Sequence, residues 1–192
     1  MPIHRRRALP SEIVLASASP RRIELLRQIG VDPHVIPAHI DESAIRSADP
    51  VHLTLALARA KAHAVGVRPG VPVLAADTVV EAGGLILEKP ADRSDAERML
   101  RLLSGSEHRV VTGVAVLRAA GELMEGHAES RVTFETLTES EIAACLDSEE
   151  WVGVAGAYRI QGVAARHITG LCGSYSNVVG LPLHLVYSIL TQ

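Results

Sequence analysis

Ile13-Val14-Leu15-Ala16 opens the patterned part of the chain as a short continuous apolar run and reads as a buried strand. The spacing then turns helical: Ile23, Leu26 and Ile29 share a face, Ser19 stands at the N-cap, Pro20 at the first helical position, and Gly30 stops the helix. His34-Val35-Ile36 predicts a second short strand, followed by a polar loop carrying Asp41 and Glu42. Asp49-Pro50 opens a helix expected to run to about Val65, with Leu53, Leu57, Ala60 and Ala64 on one face. Val73 to Val80 is mostly apolar and so reads as a central strand. Gly83-Gly84 then looks like the turn of a hairpin into Leu85-Ile86-Leu87.

Ser94 with Glu97, and Thr138 with Glu141, have capping-box spacing for two further helices, ending near Leu103 and Leu146. Between them lie two long strand-like runs, Arg109 to Leu117 and Leu123 to Phe134, joined by Ala119-Ala120-Gly121. The last third holds Ala157 to Ile160, Val163 to Ile168, a polar loop over 174–182 and a final helix from Pro182. Strands alternating with helices early and hairpins later predict an α/β fold: a mixed twisted sheet with flanking helices. Residues 11–192 are expected to form a single domain. Residues 1–10, with Arg5-Arg6-Arg7, are expected to be a flexible basic tail, because the apolar run that follows is too short for a signal peptide.

Composition narrows the function classes. The chain has 192 residues, enough to bury a core without staples. Aromatics are only 3%, so that core must be built from Ala, Val, Leu and Ile. A formal net charge of −3 argues against sequence-independent binding to nucleic acid or to an anionic membrane. No apolar run approaches the length of a membrane helix. Cys145 and Cys172 stand alone, without metal-ligand spacing; a disulfide between them stays open, and a reducing cytoplasm is the default location. GxxxxGK[ST] and GxGxxG are both absent, which removes P-loop and Rossmann mechanisms.

The candidate chemistry is dispersed. Ser17-Ala18-Ser19-Pro20-Arg21-Arg22 lies between a strand and a helix, where unpaired N–H groups and the positive dipole end suit an anion. Two arginines there oppose the dipole unless a negative partner is present, and guanidinium grips phosphate bidentately; a capped surface helix with two solvated arginines is the plainer reading. Asp77-Thr78 interrupts an apolar strand, where a carboxylate needs a partner, a metal or a cleft. Such an aspartate can hold Mg²⁺ or orient a water for attack on phosphorus. Glu42 is a possible second acidic ligand, although alone it reads as a solvated loop residue. Lys61 and Lys89, with Arg21 and Arg22, supply the positive charge a triphosphate requires. Gln161, among small residues, has donors and an acceptor enough to read a pyrimidine edge, or equally to bond within the sheet. His108 and His127 read as structural.

Six segments resemble, in order, the signatures of the Maf family: SASPRRIELL at 17–26, AADTVV at 75–80, EKP at 88–90, LSGSEHRVVTGV at 103–114, AGAYRIQG at 155–162 and GSYSNVVGLPL at 173–183. The resemblance implies a cleft between two lobes, similar to inosine triphosphate pyrophosphatases. It also implies metal-dependent (Mg²⁺ or Mn²⁺) hydrolysis of nucleoside triphosphates to monophosphate and pyrophosphate in the cytoplasm; the family often forms homodimers, and house-cleaning of nucleotides and control of division both stay open as the role. Asp77 matches the catalytic base. Glu42 and Asp77 match metal-binding positions, and Ser17, Arg21, Arg22, Lys61 and Lys89 match substrate-binding positions. Arg21, Thr78 and Gln161 match the branch that prefers dTTP and UTP, with modified pyrimidine nucleotides in the same class, rather than the 7-methyl-GTP branch. Val154 departs from the family pattern, which carries Lys there. A nucleotide-binding regulator of cell division with little catalysis is the alternative that the resemblance leaves open.

Overall fold

The structure, a computed structural model, describes residues 8–192; Arg5-Arg6-Arg7 of the expected basic tail lies outside the described residues. Among the described residues, seven strands form one mixed sheet in the order β2-β1-β3-β5-β6-β7, with β4 paired to β3. Short parallel strands β1 (Val14–Leu15) and β2 (His34–Val35) flank the long β3 (Val73–Ala82). Antiparallel β4 (Leu85–Leu87), β5 (Glu107–Leu117), β6 (Leu123–Phe134) and β7 (Ile168–Cys172) complete the sheet. The helices are α1 (Pro20–Gln28), α2 (Pro50–Val65), α3 (Arg93–Leu103), α4 (Glu139–Asp147), α5 (Tyr175–Val179) and α6 (Leu183–Leu190).

Period-two alternation assigns the layers. Val73, Ala75 and Val79 of β3, with Val111, Ala115 and Leu117 of β5, face α2 through Leu53, Leu57, Ala58 and Ala62. The alternate residues Leu74, Ala76, Val114 and Val116 face α1 and α6, and Val80 and Val110 face α3 and α4. The sheet is therefore covered on both sides, which explains why β3 and β5 are apolar almost throughout.

Four local expectations change. The buried stripe of α2 is Leu53, Thr54, Leu57, Ala58, Lys61 and Ala62, whereas Ala64 is exposed: helical repeats of three and four from Leu53 lead to Lys61. Helix α3 is capped by Asp92, whose carboxylate accepts from the Asp95 N–H at 2.8 Å, rather than by Ser94 and Glu97. The 174–182 loop contains the short helix α5, and Ile168–Cys172 is an edge strand. The Thr138–Glu141 capping box forms as expected. Both cysteines are free thiols.

Candidate active site

The site exists because β3 is much longer than its neighbour. On one edge of β3, β1 pairs only with Val73 and Leu74, and β4 pairs only with Val80 to Ala82. Asp77 and Thr78 fall in the unpaired interval. A cavity of about 750 Å³ opens there, between the β1–α1 connection and the loop over residues 150–162. A second hollow of about 240 Å³ adjoins it, and the two share Glu42, Asp77, Thr78 and Lys89. The larger volume suits a nucleotide-sized ligand.

Alternation sends Asp77 and Thr78 to opposite faces of the sheet, and each meets a different cation. Asp77, on the α2 face, accepts from Lys61 Nζ at 2.6 Å through Oδ1. Lys61 also lies 2.9 Å from Glu42 Oε1, so one buried ammonium bridges the two carboxylates. Gly113, the β5 partner of Asp77, permits this approach: a Cβ there would lie 2.5 Å from the Thr54 carbonyl carbon of α2. Asp41 sets the position of Glu42 by accepting from the Ser43 N–H and hydroxyl. Burial raises the Glu42 carboxyl, but the Lys61 hydrogen bond and the charges of Lys61, Lys89 and Arg22 outweigh it and hold the group below the usual range. Lys89 is exposed, 3.9 Å from Glu42 Oε2.

Thr78, on the other face, meets Arg22. The Arg22 Nε donates to the Gly180 carbonyl at 2.8 Å, and its terminal nitrogens donate to Ser17 Oγ and Thr78 Oγ1, both at 3.2 Å. The Thr78 hydroxyl also pairs with Thr112 at 2.9 Å. Burial lowers the Arg22 guanidinium, and Asp77 and Glu42 partly restore it. Arg22 thus ties the start of α1, β3 and the α5–α6 connection together, and much of its donor capacity is spent inside the protein. Ser17 is likewise engaged, accepting also from the Ser19 N–H at 3.2 Å. Ser19 makes no side-chain cap to α1, so the Arg21 and Arg22 N–H groups of the first turn are without a cap at the cavity's edge.

Arg21 lines the same cavity and has no hydrogen bond or ion pair among the described residues. Burial, and then the charges of Arg159 and Arg22, lower its pKa against the opposing effect of Glu24. Gln161 is exposed at the cavity wall, and Val154 is a buried, apolar part of it. The cavity therefore gathers every residue singled out from the sequence: Ser17, Arg21, Arg22, Glu42, Lys61, Asp77, Thr78, Lys89 and Gln161. Glu24, Glu150 and Arg159 also line the cavity, though none was singled out from the sequence. Glu150 anchors the wall, accepting from the Val163 N–H at 2.7 Å with its carboxylate lodged against Gly162, where a Cβ would collide with it. A charged residue between the buried Tyr158 and Ile160 was the available signal for Arg159.

His108 is structural, as expected: buried, with Nε2 2.8 Å from the Tyr158 hydroxyl. Desolvation lowers its pKa to about 4 and raises that of Tyr158. Glu135, Glu141 and His167 form a group with metal-ligand potential outside the cavity. There, however, His167 Nδ1 is 2.8 Å from Glu135, its Nε2 accepts from Arg166, and Glu141 caps α4. Among the described residues, no helix is long and apolar enough to cross a membrane.

The Maf-like protein family matches residues 12–192. The dTTP/UTP pyrophosphatase of Paramagnetospirillum magneticum is 50% identical over 173 residues, 89% of this chain and 91% of that protein. The dTTP/UTP pyrophosphatase of Hyphomonas neptunium is 49% identical over 179 residues, 93% of each chain. Among solved structures, the Ham1 protein of Staphylococcus aureus aligns at 15% identity with a TM-score of 0.49, over 93% of this chain and 97% of that one. Matched over residues 12–192 and about half identical to these relatives, the chain belongs to the Maf family.

Proposed function

We propose that this chain is a nucleoside triphosphate pyrophosphatase that hydrolyses dTTP and UTP to the monophosphate and pyrophosphate. The observation that carries the reading is the junction of two charge arrangements in one cavity. Asp77 and Glu42 converge on Lys61, and Arg21 lines the same cavity without an ion pair among the described residues. Both relatives described above, named dTTP/UTP pyrophosphatases, support the substrate class, as do Arg21, Thr78 and Gln161 on the cavity wall.

In this reading a water oxygen attacks the α-phosphorus, the bond from that phosphorus to the bridging oxygen of the β-phosphate breaks, and pyrophosphate leaves. Asp77 takes the proton from the water. Its Oδ1 is held by Lys61, and no protein donor meets Oδ2 among the described residues, so one carboxylate oxygen is fixed and the other is available. Lys61, Lys89 and Arg21 offset charge on the triphosphate and on departing pyrophosphate. Arg22 keeps the α1 N-terminus and Thr78 in place. The donor set fits a divalent cation, because two carboxylates already share one buried cation, as hard oxygen ligands do. Asp77 and Glu42 would hold Mg²⁺ or Mn²⁺, which supplies charge neutralisation and water polarisation when bound.

The test is pyrophosphate release from a nucleotide panel with Mg²⁺ or Mn²⁺, wild type beside Asp77→Asn. Turnover led by dTTP and UTP is expected, falling by about 10²- to 10⁴-fold in the variant. Turnover in the variant within tenfold of wild type would remove Asp77 from the role of base. Nucleotide binding without turnover across the panel would make a regulator the better account.

A further inference from the structure

Arg159 stands out among the cationic side chains of the cavity. It lies on a tightly fixed segment: the Gly156 N–H donates to the Glu88 carbonyl, the Tyr158 hydroxyl bonds His108, the Gly162 N–H donates to the Arg159 carbonyl at 3.0 Å, and Glu150 holds Val163. Its backbone is thus pinned on both sides, yet its side chain has nothing to hold. The Nε is buried and has no hydrogen-bond partner, and no carboxylate lies within ion-pair distance among the described residues. Its own charge lowers the pKa of Arg21 on the same cavity.

The acidic groups of the cavity cannot serve as its counter-ion. Asp77 and Glu42 pair with Lys61, the Glu150 carboxylate is held on the Val163 N–H, Glu24 acts on Arg21 rather than Arg159, and none of the four lies within ion-pair distance of Arg159. Arg21 and Arg159 therefore line one cavity without an ion pair, while Asp77 and Glu42 lie where the 240 Å³ hollow adjoins, a hollow that reaches neither arginine. A buried, unpaired guanidinium donor is costly, and an anion between two arginines would satisfy donors of both and offset their repulsion.

We propose that Arg159 is a substrate-binding residue that closes with Arg21 on one phosphate group of the nucleotide's polyphosphate chain. The inference rests on the proposed function for the identity of the substrate, but the anion site itself is testable without turnover. The probe is inorganic tripolyphosphate, titrated calorimetrically into wild type, Arg159→Met and Arg159→Lys at two salt concentrations, beside the KM for dTTP and the thermal unfolding midpoint of each protein without ligand.

Loss of a charged hydrogen-bond donor set should weaken tripolyphosphate binding and raise KM by about 10- to 100-fold in Arg159→Met, with partial recovery in Arg159→Lys and a shallower salt dependence. The unfolding midpoint should stay level or rise, since a residue that repels Arg21 and bonds nothing is being removed. Binding and KM within twofold of wild type overturn the proposal, as does weakened binding accompanied by a lowered midpoint. A wild type that turns over no nucleotide, while Arg159→Met loses tripolyphosphate, rejects the proposed activity and keeps the anion site.

Discussion

The bridging lysine offers the most direct test of how the site is assembled. Lys61 and Asp77 are 2.6 Å apart, and their side chains are 8% and 10% exposed. At that distance their attraction is roughly 6 kcal/mol with an effective dielectric of about 20. Removing both charges from water costs several kcal/mol per ion, so the intact pair contributes little net stability. Breaking it is a different matter, because a nearly buried carboxylate is left without a partner, at a cost of about 3–5 kcal/mol. Glu42, the second carboxylate on Lys61, is 44% exposed and can turn to water, so it adds little to the penalty. Lys61→Met should therefore destabilise the protein by about 3 kcal/mol at pH 7, at the low end of that range. Adding Asp77→Asn removes the stranded charge, and the double variant should recover about 2 kcal/mol of the loss. Urea unfolding of wild type, both single variants and the double variant measures the cycle. Additivity within about 0.5 kcal/mol would refute the claim that these two side chains are energetically coupled.

Other consequences follow from the same geometry. Glu42→Gln should raise the Mg²⁺ concentration needed for half-maximal pyrophosphate release, by about tenfold if one carboxylate ligand is lost. Because the folded-state pKa of Glu42 is depressed, its contribution is present above the unfolded value of about 4.3 and lost as pH falls through the folded value. The variant should thus lose less stability than wild type on acidification below about pH 4, by about 1 kcal/mol or less given the exposure of the group. His108 has the opposite charge type: its neutral form is favoured in the fold and its pKa falls to about 4. The unfolded chain binds that proton more readily, so stability should fall by up to about 3 kcal/mol as pH drops from 6.5 to about 4. His108→Gln should flatten that segment of the pH–stability curve; an unchanged slope would show that burial of His108 is not its cause. Gly162→Ala should cost about 1–3 kcal/mol by displacing the Glu150 carboxylate, and should lower kcat/KM because the Arg159–Gln161 segment shifts with it.

What the sequence determined by itself was local. The elements with clear periodicity, the Pro20 and Pro50 helix starts, the Gly83-Gly84 hairpin and the Thr138–Glu141 capping box depend on residues within a few positions of one another, and the structure contains each of them. The site residues proposed from the sequence all line one cavity. What those residues do to one another was decided only in three dimensions. Lys61 reaches Asp77 because the buried stripe of α2 runs through position 61 and because Gly113 lets that helix lie close to the sheet. Arg22, read as a phosphate clamp, also binds Gly180, 158 positions away, and Thr78, 56 positions away. Arg159 was not singled out in the sequence and became conspicuous when folding left its Nε buried and unpartnered on the cavity that Arg21 also lines. Periodicity and caps are short-range preferences, whereas charge compensation depends on which distant segments the sheet register brings together, and no local pattern encodes that register.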